Sequence, residues 1–332
     1  MPSIPEPEKQ VEAEPPPAAD ELPLRTGRVL ITARQRGADI TALGCLALHL
    51  PQACASLAVV FGASYCLAVL GGPPWWVLWG GWVLSGALVF HQPCERLLAR
   101  RLFGLRYPTV EEDRKLRFVW HEITARAGVD ASTYQLWVED SDDVNAMAAA
   151  GHIVGVTSHS LRRLPSAQLA GVLAHELGHH TRGHAWASLL AVWYALPGRL
   201  TWRLLLALVS RIDRLPVGAS ALVTGLIGAT AFALATATYG LVLLPLATPY
   251  LAAAVARRAE LRADEHAAGL GFAAELMAVL HDEHERERAE RAGAEAQRLP
   301  AEDEGLVARL LHSHPDVHTR LHHLRAREAS RR

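Results

Sequence analysis

The order of apolar and charged positions divides the chain into alternating apolar and polar stretches. From Ile40 to Cys94 there is no charged residue, which is too long for a single membrane helix of about 20 residues. A Gly-Gly-Pro-Pro cluster at 71–74 interrupts the stretch, so the pattern predicts two transmembrane helices at about 48–70 and 75–93. Tryptophans are typical of a membrane–water interface, and four lie near the break: Trp75, Trp76, Trp79 and Trp82.

Two further apolar stretches follow later in the chain. The first, at 185–210, is interrupted by two arginines and predicts either a short or tilted span or a half-buried hairpin. The second, Leu215 to Ala256, is uncharged and predicts one span at about 218–244. The prolines that follow would bend or end this span.

The polar stretches have the composition of a water-soluble unit. Residues 114–127 predict an amphipathic helix, while 134–138 and 152–157 have the length and composition of strands. A strong helical pattern runs from Ser166 to His184, and after Arg257 the chain is rich in charge and predicts helix to the end. The predicted fold class is therefore α+β and mostly helical, in a multi-pass α-helical membrane protein.

Composition fits such a mixture of apolar and water-soluble segments. Half of the chain (50%) is hydrophobic and 20% is charged. The formal net charge of −1 gives no indication of a nucleic-acid-binding protein. The first 23 or so residues are rich in Pro, Glu and Ala and predict a disordered tail. The four cysteines lack the C-x-x-C spacing of a zinc knuckle or redox pair.

Arginines beside the first two predicted spans indicate the orientation of the chain. Basic residues precede the first span and follow the second, and two spans return the chain to its starting side. Both flanks are therefore predicted to lie in the cytoplasm, together with the water-soluble unit. The arginines are Arg25, Arg28, Arg34, Arg36, Arg96, Arg100, Arg101 and Arg106.

The string H-E-L-G-H at 175–179 carries the candidate chemistry. Residues four apart share one face of a helix, so His175 and His179 can reach one ion at about 2.0–2.1 Å. Glu176 lies about one step away, where it can hold and deprotonate a water beside the metal. The alternative is a pair of surface histidines, but the apolar run at 169–174 gives this helix a face to bury.

A catalytic zinc also needs a third protein ligand and an open position. The segment R-R-A-E-L-R-A-D at 257–264 follows the last apolar stretch and has two carboxylates, Glu260 and Asp264, on one helical face. The alternative for this segment is an exposed helix with mixed charges, which is common.

His180 and His184 continue the predicted helix of the H-E-L-G-H string. They are interpreted as surface positions, and the alternative is that they support the metal ligands.

Five segments of the chain recur together in a known family. They are V-N-A-M-A at 144–148, the strand and turn at 152–164, L-A-H-E-L-G-H at 173–179, E-x-x-x-D at 260–264, and H-P at 314–315 with Arg320 beyond. In this order they resemble the HtpX-like and CAAX-processing membrane zinc metalloproteases, which are of the gluzincin type. The resemblance covers about residues 40–325. Met147 stands where the family usually has Phe, which leaves substrate preference open.

The resemblance implies a ligand set and a base. Zn²⁺ would be bound by His175, His179 and Glu260, and Glu176 would be the general base.

Membrane segments would then divide the protease domain in two. The implied organisation is a tail and basic segment at 1–38, two transmembrane helices at 39–94, an N-terminal protease segment at 95–184, two apolar segments at 185–256 and a C-terminal protease segment at 257–332.

The resemblance also implies supporting and substrate-binding residues. Asp264 would pair with Arg320 and fix the ligand helix. His314 would lie near the cleft and stabilise the oxyanion or orient the substrate. Asn145 and Ala146, with the strand that follows, would bind the substrate backbone as an added strand.

These features lead to one main hypothesis and two alternatives. The main hypothesis is a membrane-bound zinc endopeptidase that cleaves membrane or misfolded proteins at the cytoplasmic face of a lipid bilayer. The first alternative is a signal-transducing membrane metalloprotease that releases a single regulator. The second is a zinc-stabilised membrane scaffold without catalysis, for which Glu176 would have no purpose.

Overall fold

The computed structural model describes residues 39–101, 103–149, 151–211, 217–237, 244–296 and 316–329. Within these ranges the chain is mostly helical with one small sheet, which confirms the predicted α+β class. In chain order the elements are α1 (Ile40–Val69), α2 (Trp75–Ser85), a 3₁₀ helix (Gly86–Phe90), α3 (Gln92–Arg101), β1 (Leu105–Arg106), α4 (Val110–Ala127), a 3₁₀ turn (Ala131–Thr133), β2 (Gln135–Glu139), β3 (Ala146–Ala149), β4 (Ile153–Thr157), α5 (Ser158–Arg163), α6 (Ser166–Thr181), α7 (His184–Val209), α8 (Val217–Ala237), α9 (Leu244–Gly269), α10 (Ala273–Ala296) and α11 (Val317–Ala329).

The sheet has four strands in the order β1-β2-β4-β3. β2 and β4 are parallel, whereas β1 pairs antiparallel with β2 and β3 pairs antiparallel with β4. The predicted strands at 134–138 and 152–157 correspond to β2 and β4. Periodicity does not predict β3, because its sequence, Ala-Met-Ala-Ala, lacks the β-branched and aromatic residues that are enriched in strands.

Hydrophobic residues pack on both faces of the sheet. On one face, Val138, Val154 and Val156 join the main core, which includes residues of α4, α6, α9, α10 and α11. On the other face, Trp137 and Ile153 belong to a smaller core with residues of α3 and α7. This division follows the alternation of side chains along a strand. The sheet is therefore held between α6, which carries His175 and His179, on one side and α3 and α7 on the other.

The helices begin and end at residues that satisfy their terminal backbone groups. Thr109 and Glu112 form a capping box at the start of α4, and Gly128 ends that helix with a φ of 67°. Asp39 accepts hydrogen bonds from the Thr41 and Ala42 backbone N–H groups and so caps α1. Asp39 also accepts from Arg262 Nη1 at 2.6 Å, which connects the start of α1 to α9.

The apolar helices differ from the predicted spans in their bounds. Among the described residues, α1 is the one helix long and apolar enough to cross a membrane. The span predicted at 75–93 is divided between α2, the 3₁₀ helix and the start of α3. The stretch at 185–210 forms one continuous helix, α7, and not a hairpin. The last predicted span corresponds in part to α8, and residues 238–243 lie outside the described residues, as does the predicted tail. Multi-pass membrane character and the domain division stay predictions.

Polar contacts fix α1, α2 and α7 against one another. The Gly198 backbone N–H in α7 donates to Ser56 Oγ in α1 at 2.9 Å. Tyr194 Oη donates to the Val83 carbonyl oxygen at 2.6 Å, and Trp193 Nε1 donates to Ser85 Oγ at 3.0 Å. α9 begins in an apolar stretch and continues without a break to Glu260 and beyond. The helix that carries Glu260 is therefore a direct continuation of an apolar stretch.

Candidate metal centre

α6 presents the two histidines of the H-E-x-x-H string on one buried face. His175 and His179 are 6% and 9% exposed, respectively. The helix also has an apolar face for the core, which consists of the fully buried Leu169, Leu173 and Leu177. The spacing of four places both imidazoles one above the other along the helix. The local sequence therefore determines both the burial of α6 and the position of the two rings.

The donor atoms of three residues meet between α6 and α9, with one Glu260 oxygen near each imidazole. The two Nε2 atoms of His175 and His179 are 3.2 Å apart. Glu260 Oε2 lies 3.3 Å from His175 Nε2, and Glu260 Oε1 lies 3.4 Å from His179 Nε2. Within the described ranges of the chain, these three residues are the group of three that could hold a metal ion. The structure therefore brings together the three predicted ligands.

These separations fit a tetrahedral ion. Metal–ligand bonds of about 2.0–2.1 Å at tetrahedral angles place the donor atoms about 3.3–3.4 Å from one another. Two imidazoles and one carboxylate form the ligand set of many catalytic zinc sites, with the fourth position open for water or substrate. The three side chains, two from α6 and one from α9, thus have the chemistry and the spacing for a zinc-class divalent cation.

Asp264 holds His175 from the side away from the donor triangle. His175 Nδ1 donates to Asp264 Oδ1 at 2.8 Å, so Nε2 is directed at the triangle. Burial lowers the pKa of His175, but the hydrogen bonds to Asp264 and Glu260 outweigh burial and raise it to about 10. Burial raises the pKa of Asp264, but hydrogen bonds from Arg320 and His175 outweigh burial and keep that pKa below its usual value.

Glu176 lies beside the triangle and is 7% exposed. Burial raises the pKa of this carboxyl group, and a hydrogen bond from the Ala148 backbone N–H opposes the shift. A carboxylate with a raised pKa is a better proton acceptor near neutral pH. α6, which carries the candidate base, also packs against β3, the edge strand of the sheet.

β3 directs alternate peptide groups away from the sheet. The Asn145 carbonyl oxygen accepts from the Thr157 N–H at 3.1 Å, so this pair is a hydrogen-bonded one. Because hydrogen-bonded and non-hydrogen-bonded pairs alternate in an antiparallel ladder, the peptide groups of Ala146 and Ala148 point away from β4. The Asn145 N–H is also used internally, by Ser160 Oγ at 2.9 Å. Of the two predicted substrate-binding residues, Ala146 thus has the outward backbone.

Two further residues were predicted near the site, Arg320 and His314, and the structure describes the first of them. Arg320, on α11, contacts Asp264 through two nitrogens and lies 3.8 Å from Glu260. His314 lies outside the described residues. The side chains of the site thus come from three separate helices, α6, α9 and α11, and no periodic sequence pattern connects these helices.

Of the two histidines that follow the motif, His180 is buried and His184 is half-buried. His180 is 5% exposed and its Nε2 donates to the Ile153 carbonyl oxygen at 2.9 Å. Burial lowers the pKa of His180 to about 4, so the ring is neutral. His184 lies with its ring 5.5 Å from that of His179, and burial lowers its pKa to about 4 as well. The surface interpretation was wrong for His180, because Ile153 and the ring of Tyr134 cover that side of α6.

The family comparison covers the whole site. A sequence model of peptidase family M48 matches residues 111–328, which is more than half of the chain and includes α4 to α11. The chain belongs to peptidase family M48. This family contains the HtpX-like membrane zinc metalloproteases, so the resemblance found in the sequence is confirmed. No curated protein matches the chain.

Membership of family M48 indicates a metallopeptidase that acts on polypeptides. The matched range begins in α4 and so leaves α1, α2 and α3 outside it. Ala148 is a neighbour of the site that sequence reasoning did not single out, because its backbone and not its side chain faces away from β4. The signal that could have identified it is its place three residues after Asn145, inside the segment that resembles the family.

Proposed function

We propose that the chain is a membrane-bound zinc endopeptidase that cleaves membrane or misfolded proteins at the cytoplasmic face. The observation that carries this proposal is the donor triangle of His175, His179 and Glu260 with the buried carboxyl group of Glu176 beside it. The spacing supports a tetrahedral ion, and the neighbouring carboxylate supports hydrolysis over a purely structural site.

His175, His179 and Glu260 would hold the zinc. When bound, zinc polarises a peptide carbonyl group and lowers the pKa of a water towards about 7. Glu176 accepts a proton from the attacking water as the water oxygen bonds to the carbonyl carbon. The C–N bond then breaks, and Glu176 passes the proton to the leaving nitrogen, which becomes an amine. A raised pKa suits Glu176 to both steps, since it must accept and then release the same proton.

The edge strand β3 supports binding of the substrate in extended form. Ala146 and Ala148 direct backbone groups away from β4, and α6, which carries Glu176, packs against β3. A peptide paired with this edge would therefore run past the base and the donor triangle. His314, three residues before α11, is proposed from the family resemblance to orient the substrate or stabilise the oxyanion.

Several contacts support a site close to a lipid bilayer. α1 is long and apolar, and many of its large side chains are exposed. α9 joins an apolar stretch to Glu260 in one helix, and Arg262 on that helix binds Asp39 at the start of α1. The basic residues on both sides of the first apolar stretch support a cytoplasmic position for the catalytic unit.

The test is to purify the protein in detergent without a His-tag or nickel and to measure zinc content and cleavage of casein. We expect about one zinc per chain and cleavage by the wild type, while Glu176→Gln keeps zinc and is inactive. Glu285→Gln, an exposed carboxylate on α10, is the matched control and should be active. Absence of zinc would refute the ligand set. Zinc without cleavage of any substrate would favour the scaffold.

A further inference from the structure

Glu95 is a buried carboxylate outside the metal centre. It is the first charged residue after the apolar stretch that begins at Ile40, and it is 0% exposed. A carboxylate without contact to water must be compensated by hydrogen bonds or an opposite charge. Its partners lie in the turn between β3 and β4, more than 50 residues further along the chain.

The turn is held by both oxygens of Glu95. Oε1 accepts from the Gly151 backbone N–H at 3.2 Å, and His152 Nδ1 lies 3.2 Å from Oε1 and 3.1 Å from Oε2. A Cβ atom at Gly151 would lie only 3.0 Å from Glu95 Oε1, so the backbone approaches the carboxylate closely. The His152 carbonyl oxygen in turn accepts from the Gln135 N–H at 2.7 Å, which joins the turn to β2.

Arg96, which follows Glu95 in α3, also connects this helix to the sheet. Arg96 Nε donates to Gln135 Oε1 at 3.3 Å. Ala99 of α3 packs with Ala149 and Ile153, the last residue pair of the β3–β4 ladder, in the smaller core. α3 therefore holds the end of β3 by polar and apolar contacts together.

β3 is fixed at its other end by a separate group of hydrogen bonds. The Asn145 N–H donates to Thr157 Oγ1 and to Ser160 Oγ, at 3.2 and 2.9 Å. Between the two fixed ends lie Ala146 and Ala148, whose backbone groups point away from β4. Because β3 has only four residues, a shift of the turn moves its outward peptide groups as well.

We propose that Glu95 is a positioning residue, which holds the 151–152 turn and thereby sets β3 for substrate pairing. Through α3, the end of the apolar stretch is connected to the substrate-binding edge of the sheet. This inference rests on the proposed endopeptidase function, because it assigns to β3 the binding of an extended peptide. Glu95 itself touches neither the substrate nor the donor triangle.

The test combines kinetics with hydrogen exchange on the full-length protein in detergent. Glu95→Ala leaves the Gly151 N–H without its acceptor, and we expect kcat/KM for an extended peptide to fall about tenfold or more, mainly through KM. Zinc content should stay at the wild-type value. The amides of Met147 and Ala149, which face β4, should exchange faster than in the wild type. Glu95→Gln keeps an oxygen for Gly151 and should restore KM to within about threefold.

Arg126→Met is the control for a general loss of stability. Arg126 Nε donates to Glu122 Oε1 at 2.7 Å and its Nη1 donates to the Leu270 carbonyl oxygen at 3.3 Å, and neither partner belongs to β3 or to the segments that fix its ends. Arg126→Met should lower the melting temperature without changing KM or exchange in β3. The proposal fails if Glu95→Ala keeps the wild-type KM and exchange, or if Glu95→Gln is as impaired as Glu95→Ala. If the wild type cleaves nothing, the endopeptidase proposal fails, and the exchange data still decide whether Glu95 holds β3.

Discussion

Arg320 and Asp264 form a two-point ion pair behind the donor triangle. Arg320 Nη2 donates to Asp264 Oδ1 at 2.6 Å, and Nε donates to Oδ2 at 2.9 Å. Asp264 is 0% exposed, and its Oδ1 also accepts from His175 Nδ1 at 2.8 Å. The pair therefore connects α11 and α9 to His175 on α6, and it determines which nitrogen of His175 faces the donor triangle.

Asp264→Asn is expected to weaken zinc binding about 10- to 100-fold, because a neutral amide holds His175 less firmly and makes it a poorer ligand. Competition with a chelator of known affinity measures the change. Asp282→Asn, an exposed aspartate on α10, should bind zinc like the wild type. An unchanged affinity in Asp264→Asn would show that this carboxylate does not support the ligand.

Arg320→Met is expected to reduce the free energy of unfolding by about 3–5 kcal/mol in the zinc-free protein, because it breaks a buried two-point ion pair and leaves Asp264 with His175 as its remaining charged partner. Arg320→Lys should recover only a fraction of this loss, since an ammonium group cannot bind both oxygens as a guanidinium does. Denaturant unfolding gives the values. Arg325→Met, at an exposed position of α11, is the control, and an equal loss there would contradict the assignment.

The raised pKa of His175 predicts a pH dependence for the metal-free protein. Below pH of about 6.5 the imidazole is protonated in both the folded and the unfolded chain. The stabilisation of the fold by the hydrogen bonds of the protonated ring to Asp264 and Glu260 is then fully present. Between that value and the folded-state pKa of about 10, only the folded chain holds the proton, so the free energy of unfolding falls as the pH rises. Unfolding of the metal-free protein at pH of about 6.5 and about 9 would measure the fall.

The same proton must leave when zinc binds, because only the neutral imidazole is a ligand. Zinc affinity should therefore rise with pH, and calorimetry in two buffers of different ionisation enthalpy should detect proton release. His322→Asn, at an exposed position of α11, should release as many protons as the wild type. Equal heats in both buffers would contradict the raised pKa.

The sequence predicted best what short spacing determines. His175, Glu176 and His179 lie within one and a half turns, so their relative positions follow from helix geometry alone. Glu260 is distant in sequence, and only the packing of α9 on α6 brings it to the histidines. Its assignment as a ligand therefore came from the family resemblance and not from a periodic pattern.

Other features depend on packing that a pattern does not contain. His180 continues the motif helix, yet Ile153 of β4 and the ring of Tyr134 cover it. Glu95 begins a charged stretch and would be expected at the surface, yet the turn at 151–152 compensates its burial. Both depend on partners far away in sequence, which hydrophobicity alone could not identify.

Gly178 marks the closest approach of α6 and α9. A Cβ atom there would lie 3.0 Å from both Ala263 Cα and His266 Cβ. Gly178→Val should separate the two helices, move Glu260 away from His179, and lower both zinc affinity and the free energy of unfolding, the latter by about 1–3 kcal/mol. Chelator competition and denaturant unfolding measure the two effects. Gly293→Ala in α10, where a Cβ meets nothing within 4 Å, should instead be neutral or stabilising. Wild-type zinc affinity in Gly178→Val would contradict the requirement for this close packing.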